Sequence, residues 1–297
     1  MTTKKWRLWM MLGVLALAPP RVLPAQEVER VRGSEVAAYN LAGRAEIVRG
    51  EGADVVVRVS RGGKEAGRLR VETGEVRGRQ TLGVVYPGDE IVYSEFGGSR
   101  KNLIVADDGT FPDGGSALLA LLGWGGDRVT IRDSGDGIEA WADLAIEVPA
   151  GQRAAVYLGA GAIEARGVDG RLDLDTGAGS VTATAMSGTL AIDTGAGKVR
   201  VSGMGGNLSV DTGSGSIDVE NLTGSGEVEL DTGSGGVSAR AVHARRLIVD
   251  TGSGGVILKG VASPDIAVDT GSGSVELELL TDVDALNVDT GSGSVTV

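Results

Sequence analysis

The sequence predicts an all-β chain: a parallel β-helix of about eight coils, capped at its N-terminal end by a less regular β-rich region. Three observations predict it. The heptapeptide Asp-Thr-Gly-(Ala/Ser)-Gly-X-(Val/Ile) recurs from Asp175 to Asp289 at spacings of 18 to 20 residues. Apolar and polar residues alternate on both sides of it. Glycine is abundant, 50 of 297 residues, while 41% of residues are hydrophobic and only 3% aromatic. That pairing fits many tight turns between short buried strands, and fits neither a helical protein nor a disordered linker. The glycines follow no three-residue period and there are seven prolines, which excludes a collagen triple helix.

Residues 1–25 read as a signal peptide. Lys4, Lys5 and Arg7 form a basic start, and residues 9–18 are apolar. That stretch is shorter than the roughly 20 residues needed to span a bilayer. Pro19 and Pro20 break it, and Leu23-Pro24-Ala25 before Gln26 forms a signal-peptidase site. The other reading of this stretch is a short buried or membrane-anchoring helix. The mature chain is expected to be exported, periplasmic or extracellular at the cell surface, with no transmembrane segment.

Residues 26–150 form the β-rich cap. Short β-type runs at 45–48, 55–59, 69–71, 91–93, 103–105 and 129–131 are separated by glycine-rich turns, without a visible period. The Gly/Asp-rich loop 107–127 surrounds the apolar run Ala117-Leu-Leu-Ala-Leu-Leu122, read as a short helix under a loop or as an exposed contact patch. Tyr39, Tyr86, Tyr93, Phe96, Phe111 and Trp124 all precede residue 140, so a sugar bound by ring stacking belongs in this half.

Residues 151–297 form the solenoid domain. Full copies of the heptapeptide begin at Asp175, Asp193, Asp211, Asp231, Asp250, Asp269 and Asp289, and a degenerate copy is Tyr157-Leu-Gly-Ala-Gly-Ala-Ile163. Ahead of each Asp stands an alternating apolar pair, from Leu172/Leu174 to Leu286/Val288. After each turn stands another, from Val181/Ala183 to Val295/Val297. Period-two alternation places one face of each strand in a core. A fifth apolar residue follows at Val168, Met186, Met204, Leu222, Val242, Val261 and Leu280. Five inward side chains per coil, carried on short strands, describe a parallel β-helix with a narrow core. The chain stops within a post-turn strand, so self-association through the uncapped C-terminal coil is expected.

Charge narrows the partners. There are 28 basic and 40 acidic residues, and cleavage after Ala25 removes four of the basic ones. Such a field disfavours nucleic acid and anionic lipid. There is no cysteine, hence no disulfide, thiolate metal site or cysteine nucleophile. The single histidine, His243, is expected on an outer corner without a chemical role.

The tandem coils and the lead-in Asp143-Leu-Ala-Ile-Glu-Val-Pro149 resemble the bacterial putative-adhesin family of unknown function, also called the toastrack domain. The resemblance covers about 140–297 well, and 36–105 loosely through Val36-Ala-Ala-Tyr-Asn-Leu-Ala-Gly43. It implies an exported β-solenoid whose adhesin label is inferred from shape, and it brings no catalytic residues.

Asp-Thr-Gly is also the catalytic turn of aspartic proteases. That chemistry needs two carboxylates facing each other about 3 Å apart and sharing a proton. Seven copies one coil apart stack in a row instead. The row Asp175, Asp193, Asp211, Asp231, Asp250, Asp269 and Asp289 is expected to accept N–H groups from its own turns. The metal reading of the same seven residues is a calcium ladder bridging adjacent carboxylates. The sequence thus predicts no catalytic residues and no cofactor other than that calcium. It predicts a non-enzymatic envelope or surface interaction module, adhesin-like, whose partner is an envelope protein or a glycan. The competing reading is a calcium-dependent polysaccharide-binding or polysaccharide-cleaving β-helix protein.

Overall fold

The computed structural model describes residues 26–98, 100–106, 110–111, 127–224 and 226–297. Residues 1–25, expected to be a signal peptide, and the run 117–122 lie outside the described residues. Residues 152–297 wind into eight coils, each giving one strand before its turn and one after it. The strands before the turns, such as Asp169–Ala178, Arg246–Thr251 and Asp265–Thr270, pair in parallel from coil to coil as one row. Those after the turns, such as Val181–Thr184, Val237–His243 and Val256–Ala262, form a second row. The strand Val199–Thr212 runs through the far corner and serves both rows.

Equivalent residues sit directly opposite one another: Leu172 faces Leu190, and Asp175 faces Asp193. The inward pairs of both rows share one core, from Leu172 and Leu174 through Ile266 and Val268. Val168, Met186, Met204, Leu222, Val242 and Val261 close it at the far corner. Leu280 is the exception, 58% exposed. The pairing shifts after Leu258 so that Val261 lies opposite Leu279, which packs on the core in its place. The apolar members of the last coil also depart from the expectation. Leu286, Val295 and Val297 are exposed.

The N-terminal half enters the same solenoid. Its strands are β1 (Glu27–Val31), β2 (Glu35–Ala42), β3 (Ala45–Gly50) and β4 (Val55–Gly62). They are followed by β5 (Arg70–Val76), β6 (Arg79–Val85), β7 (Glu90–Val92), β8 (Arg100–Val105), β9 (Asp127–Arg132), β10 (Ile138–Glu139) and β11 (Trp141–Pro149). β2 pairs in parallel with the strand Gln152–Ala160, placing Tyr39 opposite Tyr157, and β3 pairs with Ile163–Arg166. Residues 35–50 are therefore a coil in register with the repeat, and 51–151 interrupt the solenoid after it.

The missing period has a physical cause. In the turn Tyr39-Asn-Leu-Ala-Gly-Arg-Ala45, Tyr replaces Asp, Asn replaces Thr, and Gly43 is the one glycine kept. Asn40 is buried, and its Nδ2 donates to the carbonyls of Ala42 (3.0 Å) and Ala142 (2.7 Å). Its Oδ1 accepts from the Tyr86 hydroxyl at 2.8 Å. Burial pushes the Tyr86 phenol well above its usual range, which keeps it neutral and able to donate.

Both rows end in antiparallel pairs at this side. β6 lies parallel to β2 and antiparallel to β5, while β11 lies between β3 and β4. β7 to β10 form a separate four-stranded sheet in the order β10-β7-β9-β8. Ile91, Tyr93, Leu103, Phe111, Val129 and Ile131 pack with Ala42 and Ala160 as a second core. The small sheet thus sits on the turn side of the first coils. Among the described residues, no helix is long and apolar enough to cross a membrane.

Candidate functional site

The repeated turn is built from its threonine and its second glycine. Alternation points the Asp outward and the Thr inward, and Thr176, Thr194, Thr212, Thr232, Thr251 and Thr270 are fully buried. The Thr251 hydroxyl donates to the Gly235 carbonyl of the preceding coil at 2.9 Å. It also accepts the Gly254 N–H of its own turn at 3.0 Å. Thr232 makes the equivalent pair with Gly215 and Gly235. In these coils the hydroxyl next to the Asp is therefore the group that closes the turn and ties it to the neighbouring coil. The signal was present in the sequence: the Thr recurs unchanged at an inward position in all seven full copies.

The second glycine is required by distance. A Cβ on Gly179 would lie 1.8 Å from the Gly161 carbonyl oxygen, and one on Gly254 1.7 Å from that of Gly235. No side chain fits between coils stacked so closely.

Asp175, Asp193, Asp211, Asp231, Asp250, Asp269 and Asp289 lie opposite one another in one column. They form a row one coil apart and not a facing pair. Partial burial raises the Asp231 carboxyl above its ordinary value, and the Asp211, Asp250 and Glu229 charges add to the rise. Among the described residues, no three His, Asp or Glu side chains converge on one metal position. His243 is exposed at the end of its strand.

Two aromatic rungs continue this column towards the N-terminus. Tyr157 is in register with Asp175 on one side and with Tyr39 on the other. The two rings stack with centroids 4.7 Å apart and planes 6° from parallel. Arg79 donates to the Tyr157 hydroxyl at 2.9 Å and pairs with Glu35 at 2.7 Å. The substitution of Tyr for Asp in the degenerate heptapeptide was the readable sign of this rung.

The small sheet covers part of the turn face. A Cβ on Gly159 or Gly177 would run into the side chain of Leu103, at 2.8 and 2.4 Å. Gly177 is buried, Gly195 half-buried and Gly213 exposed, so the cover ends there. The residue between the two turn glycines follows the same boundary: Ala160, Ala178 and Ala196, then Ser214 and the serines beyond.

The sequence pattern of the toastrack DUF4097 family matches residues 144–297. The chain belongs to this family. The match spans the eight coils, seven of them with Asp-Thr-Gly turns, and begins in β11, which pairs with the coil of 35–50. A crystal structure of a "putative cell adhesion protein" from Clostridium sporogenes ATCC 15579 is similar at 11% identity and a TM-score of 0.33, over 86% of this chain and 99% of that one. No curated protein matches the chain. The coil at 35–50 lies outside the matched segment, and strand pairing places it in register with the others.

Proposed function

We propose that this toastrack protein is an exported, non-enzymatic β-solenoid that acts as an adhesin-like envelope or surface interaction module. The observation that carries the proposal is the in-register repetition of outward side chains. Columns such as Asp211-Asp231-Asp250-Asp269 present one chemistry coil after coil, which suits extended contact with a partner better than conversion of a substrate. The row arrangement of the Asp-Thr-Gly carboxylates supports the non-enzymatic reading, since shared-proton catalysis needs a facing pair. Export rests on residues 1–25, and the intact mass of the protein made by its own cell should correspond to a chain starting at Gln26.

The partner is an envelope protein or a glycan. Affinity capture from envelope fractions, run beside glycan-array binding with the mature chain, should return a saturable ligand in one of the two. A blank in both would leave a structural spacer in its place. We treat the Asp column as tolerated charge and not as a ligand set. Melting temperature should then be the same in calcium and in chelator, and a rise of several degrees in millimolar calcium would establish the calcium ladder instead.

A further inference from the structure

The two ends of the stack treat their strand edges differently. At the N-terminal end the edge strands among the described residues are β1, paired with β4, and β5, paired with β6. Glu27 and Glu29 of β1 lie opposite Val59 and Val57, on the face that those valines bury in the core. β5 likewise sets Thr73 opposite the buried Leu82. Inward-pointing charge on an edge strand blocks pairing with a further strand, which would have to bury it.

At the other end the edge strands are Ala285–Thr290, paired with Asp265–Thr270, and Val295–Thr296, paired with Val275–Leu279. Their inward positions carry no charge. Leu286, Val295 and Val297 are 39%, 43% and 69% exposed, whereas Ile266 and Val275, the register partners of the first two, are buried. An apolar edge without such charges accepts another strand.

This coil has the symmetry that a two-fold contact needs. Its inward pair Leu286/Val288 is centred on Asn287, and its inward pair Val295/Val297 on Thr296. Asn287 stands four residues before Gly291 and Thr296 four residues after Ser292, which sets the two centres level on either side of the turn. We propose that a second copy of this chain covers the coil, antiparallel, about a two-fold axis through Asn287 and Thr296. Both rows then continue into the second copy at once. Leu286 meets Val288 of the second copy, Val295 meets its Val297, and inward residues stay inward. The outward Asp289 falls opposite Ala285 of the second copy, so the two Asp columns do not face each other. A copy stacked in the same direction would instead bring this coil onto β1, against the inward Glu27 and Glu29. A contact made from the same surface on both copies closes at two. It does not depend on the ligand sought above.

The chain has no cysteine, so a single introduced thiol reports the contact. On the axis each Asn287 lies opposite the other, and residues directly opposite in an antiparallel pair have Cα atoms about 5 Å apart, within disulfide reach. The mature chain, followed by light scattering over micromolar concentrations, should have twice the monomer mass. Asn287→Cys and Thr296→Cys should each give a disulfide-linked dimer under mild oxidation. Ser209→Cys, exposed in the same outward column as Asn287 but inside the stack, should not. Val297→Asp changes a side chain that the single chain already exposes. It should have the monomer mass and the melting temperature of the diluted parent, and it supplies the single stack whose length scattering compares. A parent that stays monomeric, or a mass that grows beyond two copies, would overturn the proposal. So would failure of Asn287→Cys to cross-link, equal cross-linking of Ser209→Cys, or an undiminished dimer in Val297→Asp.

Discussion

At the far corner of each coil one residue passes through left-handed backbone: Gly167, Ala185, Gly203, Asn221, Ala241 and Gly260, with φ between 51° and 66°. The chemistry of the site explains most of that choice. Gly has no Cβ to clash, and Asn tolerates the region through local hydrogen bonding. Ala has neither advantage, and left-handed backbone costs it about 1–2 kcal/mol. The space is open, since a Cβ at the equivalent Gly260 meets nothing nearer than 3.7 Å. Ala241→Gly should therefore stabilise the protein by roughly 0.5–1 kcal/mol after the greater unfolded-state entropy of glycine is subtracted. Asn221→Gly should gain less, and denaturant melts of the two variants check the order. The Asp column makes a second residue-level prediction. Asp231 titrates above its ordinary value of 3.8 in the folded chain, so its protonated form favours folding. That contribution is complete below pH 3.8 and is lost as pH rises through the folded value. At pH 7 the ionised Asp231 therefore opposes folding. Asp231→Asn should raise stability there by up to about 1 kcal/mol, since the group is largely solvated. The gain should vanish in melts run at about pH 3, where the parent carboxyl is itself neutral. A gain of equal size at both pH values would show that charge is not its cause.

The coil is the element that the sequence made legible, and the reasons are local. Period-two alternation and a turn with two obligatory glycines repeat at nearly constant spacing, so strand faces and core residues could be assigned by counting. Counting failed where the backbone changed. Leu279 stands where the other coils put a left-handed residue, so the last corner is built differently and Leu280 turns outward. At the turn itself counting says nothing of the bonds that the buried Thr251 makes to its own turn and to the neighbouring coil. Substitutions separate the two roles. Thr251→Val keeps the shape but leaves the Gly254 N–H and the Gly235 carbonyl without their buried partner, a loss of about 1–3 kcal/mol. Gly254→Ala should cost more, at least about 3 kcal/mol, because the obstruction at 1.7 Å is backbone and every neighbouring coil must move to relieve it. Ser253→Ala, exposed in the same turn, should be near neutral. Chemical denaturation of the three variants tests the order.

At the scale of the whole molecule the chain is a stack interrupted once. The coil of 35–50 joins the stack although 51–151 separate it from its neighbour, and no periodicity could announce that, because strand pairing in space replaces spacing in sequence. The tyrosine rung was legible only at Tyr157, because its second ring, Tyr39, comes from a residue far away in the chain. In such an architecture each coil contacts only the next, so stability is close to a sum of coil and interface contributions. Removing one complete coil should then leave the fold intact. Deleting residues 231–249 joins Leu230 to Asp250 and restores an uninterrupted strand before an Asp-Thr-Gly-Ser-Gly turn. Every remaining inward residue keeps an inward neighbour, since Leu230 and Val249 occupy the same register position. The shortened chain should unfold cooperatively, at a lower temperature than the parent, and its longest dimension in small-angle scattering should fall by about 4.8 Å. Deleting residues 231–240 instead removes one turn and leaves about half a coil, so its apolar residues lose their register with both rows. That variant should fail to fold, as read by circular dichroism. If the two deletions behave alike, the coils are not the independent units that their register implies, and the N-terminal cap must hold the stack together from one end.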